Sequence, residues 1–209
     1  MNYQEIIDKP VSKLTADKIL SMPFERSIFL NEYRYFRNDG NKSTYKDFIS
    51  KVLNRKRVDS DLLSDVIYLA IDIKFYSREL LDEISKMLLS KKDYLIRLAC
   101  LDYLNSFRRN IDKSVYLRLN QGIFRSSKNT LLRLQSLINL MSLDRDKYFP
   151  LLSSILEKET MPTVFYRLIN GLKAGNIKLK SEEKRVIIQM IKENSFDRKV
   201  KSELVSGLE

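Results

Sequence analysis

Histidine and tryptophan are absent from this 209-residue sequence, and cysteine occurs once. Without histidine the chain cannot form a Ser-His or Cys-His nucleophilic arrangement, a His-ligated zinc site or an HExxH motif. With Cys100 alone it has no internal disulfide, which suits a reducing cytoplasm. Cys100 stands in an apolar helical pattern, where a buried thiol is the expected role and a nucleophile is the alternative.

Glycine and proline are also scarce, with five and four residues. This disfavours a many-stranded sheet and favours long helices with short connections. The glycines form neither a phosphate-cradling loop nor a dinucleotide fingerprint. Residues 1–10 contain Glu5 and Asp8 without an apolar core, and no run approaches the roughly 20 apolar residues of a membrane span. We expect a cytoplasmic protein with no signal peptide and no membrane segment.

Positive charge is in excess, with a net charge of +11. The basic residues are dispersed over many predicted helices and are not concentrated in a tail. Such a balance attracts nucleic acid, an anionic membrane or an acidic protein surface. A lysine-rich surface that only keeps the protein soluble is the alternative explanation.

One helical pattern is written three times, over residues 93–104, 130–140 and 162–172. The leucines of the first copy recur in the second copy after 36 residues, and apolar residues of the second recur in the third after 32. Self-similarity at this period predicts stacked helical hairpins that bury their apolar faces against each other. The aligned residues are Leu98, Leu101 and Leu104, then Leu134, Leu137 and Leu140, then Ile169 and Leu172.

This pattern resembles the HEAT and armadillo repeat proteins, with paired helices, leucine-rich first helices and Arg97 and Arg133 at equivalent positions. The resemblance covers residues 59–194. Phe165 replaces the repeated arginine in the third copy, so the repeats are divergent. The resemblance implies an all-α fold, a right-handed α-solenoid of about ten to twelve helices. We expect one domain over 1–209, with capping helices in 1–58, hairpins in 59–194 and a capping helix in 195–209.

The second helices of the last three hairpins are predicted over residues 114–124, 147–156 and 182–191. Ser181 is the expected cap of the third of these helices, and Asp197 is the expected cap of a final helix.

Two carboxylate pairs, Asp144 with Asp146 and Glu182 with Glu183, are the remaining candidates for acid–base chemistry. Turn formation and helix capping explain both pairs equally simply. We therefore predict no catalytic residue, no metal site and no cofactor, and hence a protein that is not an enzyme.

Nucleic-acid binding is the main alternative. Residues 33–37 interleave aromatics with arginines, and Lys42, Tyr45 and Lys46 follow, although the aromatics also fit a core stripe. The chain further resembles HEAT-like DNA glycosylases in size and charge. Their sites use aromatic residues, notably tryptophan, around a catalytic aspartate, and no residue here matches that motif.

Protein recognition needs no catalytic motif, because a curved helical stack offers an extended groove. In HEAT-like stacks the second helices line the concave side, so their polar faces are the predicted contact surface. We expect a partner with an acidic patch, and most specifically a toxin domain neutralised by this chain as a bacterial immunity protein that is monomeric by itself. The predicted partner-binding residues are Arg118, Gln121, Arg125, Ser153, Glu157, Arg185, Gln189 and Lys192.

Overall fold

The computed structural model describes Ser21, Arg26 and residues 42–55, 58–90 and 93–208. The secondary structure of these residues is helical and includes no strand, which confirms the all-α fold class. The basic aromatic residues 33–37, and the helices predicted before residue 38 apart from Ser21 and Arg26, lie outside the described residues. No described helix is both long enough and apolar enough to cross a membrane.

Contacts along the chain divide it into two compact units, Met1–Phe107 and Arg108–Glu209. The boundary falls three residues after residue 104, the last residue of the first copy of the repeated pattern. The single repeat domain over 1–209 stays a prediction, and the two units are described separately.

The described part of the first unit contains four helices: α1 Lys42–Leu53, α2 Ser60–Asp72, α3 Arg78–Leu89 and α4 Tyr94–Ser106. Side-chain oxygens of Asp59, Ser77 and Asp93 accept hydrogen bonds from the first backbone N–H groups of α2, α3 and α4. These caps satisfy donors that have no partner inside a helix and so fix where each helix begins. Helix α4 packs on α2 and α3, and Cys100 is fully buried in it, as predicted.

The second unit contains the longer helices α5 Lys113–Ser126, α6 Thr130–Met141, α9 Pro162–Ala174, α10 Ser181–Glu193 and α11 Arg198–Leu208. The single turns α7 Arg145–Tyr148 and α8 Ser153–Leu156 flank a 3₁₀ turn, Phe149–Leu151. Helix α6 packs between α5 and α9, and α9 in turn packs against α11. The unit's core therefore runs from helix to helix along this series.

The helix predicted over residues 147–156 is wrong, because the structure breaks it into α7, the 3₁₀ turn and α8. Pro150 is the physical cause. It has no N–H to donate to the carbonyl of Asp146, and its ring clashes with that carbonyl in a continuous helix.

The repeated apolar residues are core, as predicted. All eight aligned residues, from Leu98 to Leu172, are at most 8% exposed. The prediction of Ser181 as a cap is wrong, since Lys180 holds that position and its N–H donates to Glu183 Oε2 at 2.6 Å. Asp197 does cap α11, with its Oδ1 accepting from the N–H of Val200 at 2.9 Å.

Candidate protein-interaction surface

Helix α5 carries three of the predicted contact residues. It begins after Asp112, whose Oδ1 accepts from the N–H groups of Ser114 and Val115. Its buried face consists of Tyr116, Leu119, Asn120 and Ile123. The opposite face carries Arg118 and Arg125, both exposed, about 10 Å apart along the axis at 1.5 Å per residue.

Arg118 and Arg125 are not engaged within the fold. Neither side chain forms a hydrogen bond or an ion pair with any residue that the structure describes. Gln121 differs, because it is half-buried and its Nε2 donates to the Tyr148 hydroxyl at 3.0 Å. Gln121 therefore ties α5 to α7, whereas the two arginines remain open to a partner.

Ser153 and Glu157 lie at the short helix α8. Ser153 is its half-buried first residue, and Glu157 follows its last residue and is exposed. Glu157 lines a shallow cleft of about 390 Å³ together with Met190 and Glu193. This edge is mixed in charge and differs from the cationic face of α5.

Arg185, Gln189 and Lys192 are exposed along α10. Gln189 Nε2 donates to Glu193 Oε1 at 2.5 Å, so its amide has an internal partner. Within the described residues, no hydrogen bond or ion pair connects the predicted positions of α5, α8 and α10. Glu157 follows α8, and α10 contains three glutamates, whereas α5 contains no carboxylate.

The concentration of positive charge in residues 108–209 was not predicted from the sequence. Residues 108–209 contain 20 Lys and Arg against 11 Asp and Glu, a net +9, whereas residues 1–107 contain 18 against 16, a net +2. Residues 113–143, which hold α5 and α6, include five basic residues and no acidic one. A charge count by segment would have found this run, because it does not depend on the fold.

Gly122 lies on the exposed side of α5, between the two arginines. A Cβ built there would meet nothing within 4 Å, so no neighbour in the fold requires a glycine. A glycine inside a helix costs about 1 kcal/mol relative to alanine. The surface thus includes a site where a partner's atoms can approach the helix backbone.

The substitution Gly122→Ala is expected to raise the free energy of unfolding by about 0.5–1 kcal/mol, since it removes this conformational cost without a clash. Urea unfolding followed by circular dichroism measures it. Gly171→Ala is the matched comparison, because a Cβ at Gly171 would lie 2.7 Å from Ile138 Cδ1. Equal stability changes for the two variants would contradict the description of Gly122 as sterically open.

A chain of side-chain hydrogen bonds connects the buried face of α5 to α6 and α9. Asn139 on α6 donates from Nδ2 to Asn120 Oδ1 on α5 at 2.9 Å, and accepts at Oδ1 from Gln135 Nε2 at 2.9 Å. Gln135 Oε1 in turn accepts from Arg167 Nε on α9 at 2.8 Å. Asn120, Gln135 and Asn139 are at most 2% exposed. We call Asn120, Gln135, Asn139 and Arg167 the polar ladder.

Tyr116 adds a further link beside the polar ladder. Its hydroxyl donates to the backbone carbonyl of Asn139 at 3.1 Å, and its own carbonyl accepts from Asn120 Nδ2 at 2.9 Å. Burial raises the pKa of the Tyr116 hydroxyl to about 12, which keeps it a neutral donor at physiological pH. The exposed arginines are therefore carried on a helix whose position and rotation are fixed.

Three of the four carboxylates in the candidate pairs, Asp144, Asp146 and Glu183, have partners in the fold, whereas Glu182 is exposed. Asp144 accepts from the N–H of Lys147 at 3.1 Å at the start of α7. Asp146 forms ion pairs with Arg145 at 2.8 Å and Lys180 at 2.9 Å, and these two cations lower the pKa of its carboxyl. Glu183 accepts from the N–H of Lys180 at 2.6 Å. Capping and ion pairing thus account for these three carboxylates.

No group of three or more Cys, Asp or Glu residues among the described positions is arranged to hold a metal ion. The chain matches no family model, no curated protein and no solved structure.

Proposed function

We propose that this chain is a non-enzymatic protein-binding module that recognises an acidic protein surface through α5. The observation that carries the proposal is the pair Arg118 and Arg125, exposed and unengaged on a segment without a single carboxylate. Arginine suits this role because its planar guanidinium binds a carboxylate through two parallel hydrogen bonds. The open backbone at Gly122 lets the partner approach between the two side chains.

The finer part of the proposal concerns architecture and biology. The helix pairs are divergent HEAT/armadillo-like hairpins of a right-handed α-solenoid, and the partner is a toxin domain that the chain neutralises as a bacterial immunity protein in the cytoplasm. A scaffold without histidine and with a cationic recognition face supports a binding role over a catalytic one. Charge complementarity requires the toxin's covered surface to be acidic.

Binding to nucleic acid is the second candidate, because the net charge of +9 on residues 108–209 attracts phosphate as well as carboxylate. Helix α5 offers no exposed aromatic ring for base stacking. Tyr116 is buried, and Phe124 is half-buried with the Arg133 guanidinium 5.5 Å from its ring centroid. The acidic protein is therefore the better fit to this face.

Binding assays with the purified chain test the proposal. One assay uses the products of the neighbouring genes, and a second uses DNA and RNA at low salt. We expect one neighbouring product to bind with at least micromolar affinity. We expect nucleic acid to bind only weakly and to be released at about 0.2 M salt. Tight nucleic-acid binding in the absence of any protein partner would contradict the proposal.

A further inference from the structure

A half-open pocket with an apolar floor lies in the second unit, away from the surface on α5. Its volume is about 530 Å³, and it is formed by α9, α10, α11 and the loop that follows α9. Its apolar floor is formed by the half-buried Ile177 and Leu179, with the buried Ile169, Leu172 and Leu208 beneath them. None of the lining residues belongs to α5.

Three lysines, Lys173, Lys178 and Lys184, line the same pocket, and no carboxylate is among the residues that line it. Lys173 and Lys178 are exposed, and neither ammonium group has a hydrogen-bond or ion-pair partner among the described residues. An apolar floor with cationic groups around it is complementary to a molecule that has an apolar chain and one anionic head group.

The loop wall of the pocket is already formed. Arg145 Nη1 donates to the carbonyl of Lys178 at 2.6 Å, and Arg108 Nη2 donates to that of Gly175 at 3.4 Å. The N–H of Ile177 donates back to Leu172 O at 2.9 Å, while Asn176 takes a left-handed conformation with φ of 52°. Because these contacts fix the loop, a ligand would not have to organise it on binding.

On the helical side, Gly207 brings α11 close to α9. A Cβ at Gly207 would lie 3.1 Å from Ile169 Cγ2, so a larger residue there would crowd the pocket wall. The absence of a side chain at Gly207 therefore lets α11 pack closely against Ile169 at this wall of the pocket.

We propose that this pocket binds an anionic amphiphile of the medium-chain fatty-acid class. The acyl chain lies over Ile177 and Leu179, which are half-buried, and the carboxylate faces Lys173 and Lys178. The pocket is independent of the acidic-protein surface on α5, so either proposal can fail while the other holds.

Calorimetric titration of the full chain with decanoate and with decyltrimethylammonium, both below their micelle concentrations, tests the head-group requirement. Decanoate is expected to bind at one site per chain, at least about tenfold more tightly than the cationic amphiphile. Octanoate is expected to bind more weakly by roughly three- to fourfold for each methylene removed, as burial of a CH₂ predicts.

The double variant Lys173→Glu/Lys178→Glu is expected to weaken decanoate binding at least about tenfold. Lys158→Glu/Lys199→Glu is the matched control, because it changes the net charge equally at two exposed lysines outside the pocket. The control is expected to keep the affinity of the unmodified chain within about twofold.

Equal binding of the two amphiphiles, binding at several sites, no binding of decanoate, or equal losses in both double variants would each overturn the proposal. Both pairs of lysines are exposed, so we expect both variants to fold. Circular dichroism checks this. Binding to the acidic protein partner serves as an independent readout, and the pocket variant is expected to retain it.

Discussion

Replacing Asn139 with alanine is expected to lower the free energy of unfolding of the second unit by about 2–4 kcal/mol. Asn139 is fully buried, donates to Asn120 and accepts from Gln135. The substitution removes both hydrogen bonds and leaves Asn120 Oδ1 and Gln135 Nε2 without these partners in the core. Each unsatisfied buried group costs roughly 1–3 kcal/mol. The loss of packed atoms adds a cavity cost in the same direction.

The matched control is Asn170→Ala on α9, where the asparagine is exposed. We expect a change of less than about 0.5 kcal/mol there, because exposed substitutions away from special features have small effects. Urea unfolding followed by circular dichroism compares the two variants. The description of the polar ladder is refuted if Asn139→Ala is as mild as Asn170→Ala.

A double-mutant cycle between Asn120 and Asn139 adds a sharper criterion. Their side chains are in direct contact at 2.9 Å, so the losses in the double alanine variant should fall short of additivity by at least about 0.5 kcal/mol. Strict additivity would mean that the two amides act independently.

The double charge reversal Arg118→Glu/Arg125→Glu is expected to weaken binding of the acidic protein partner by at least about 100-fold. Like charges brought together at an interface cost several kcal/mol, and each tenfold in affinity corresponds to about 1.4 kcal/mol. Stability should change little, because both side chains are exposed and form no hydrogen bond or ion pair with the described residues. Surface plasmon resonance at physiological salt measures the affinity.

The control for this variant is again Lys158→Glu/Lys199→Glu, which alters the net charge by the same amount at two exposed positions outside α5. We expect it to slow association through the general field and to cost less than about fivefold in affinity. Similar losses in both variants would show that net charge, and not the face of α5, determines binding.

The helices were predictable from local chemistry. Apolar residues at helical spacing and the capping residues Asp59, Ser77 and Asp197 locate the beginnings of α2, α3 and α11. The break at Pro150 could also have been predicted, because proline has no backbone N–H to donate within a helix, although the apolar pattern continues across it. Helix caps and helix breaks depend on a few neighbouring residues, so they can be predicted from a single sequence.

The polar ladder was not predictable in the same way. Asn120, Gln135 and Asn139 are polar residue types that are usually exposed, and their hydrogen bonds join residues up to 32 positions apart when Arg167 is included. Gln135 and Asn139 are four residues apart on α6, but only the packing of α5 and α9 on α6 brings Asn120 and Arg167 to them. Gln121 was assigned to the contact surface for the same reason, since its partner Tyr148 lies 27 positions away.

Hydrogen–deuterium exchange of the chain with and without its bound protein partner tests the central claim most directly. Backbone amides in α5, Lys113–Ser126, are expected to show the largest added protection in the complex, with the Arg118→Glu/Arg125→Glu variant failing to acquire it. Protection confined to other helices, with α5 exchanging as in the unbound chain, would contradict the assignment of α5 as the recognition surface.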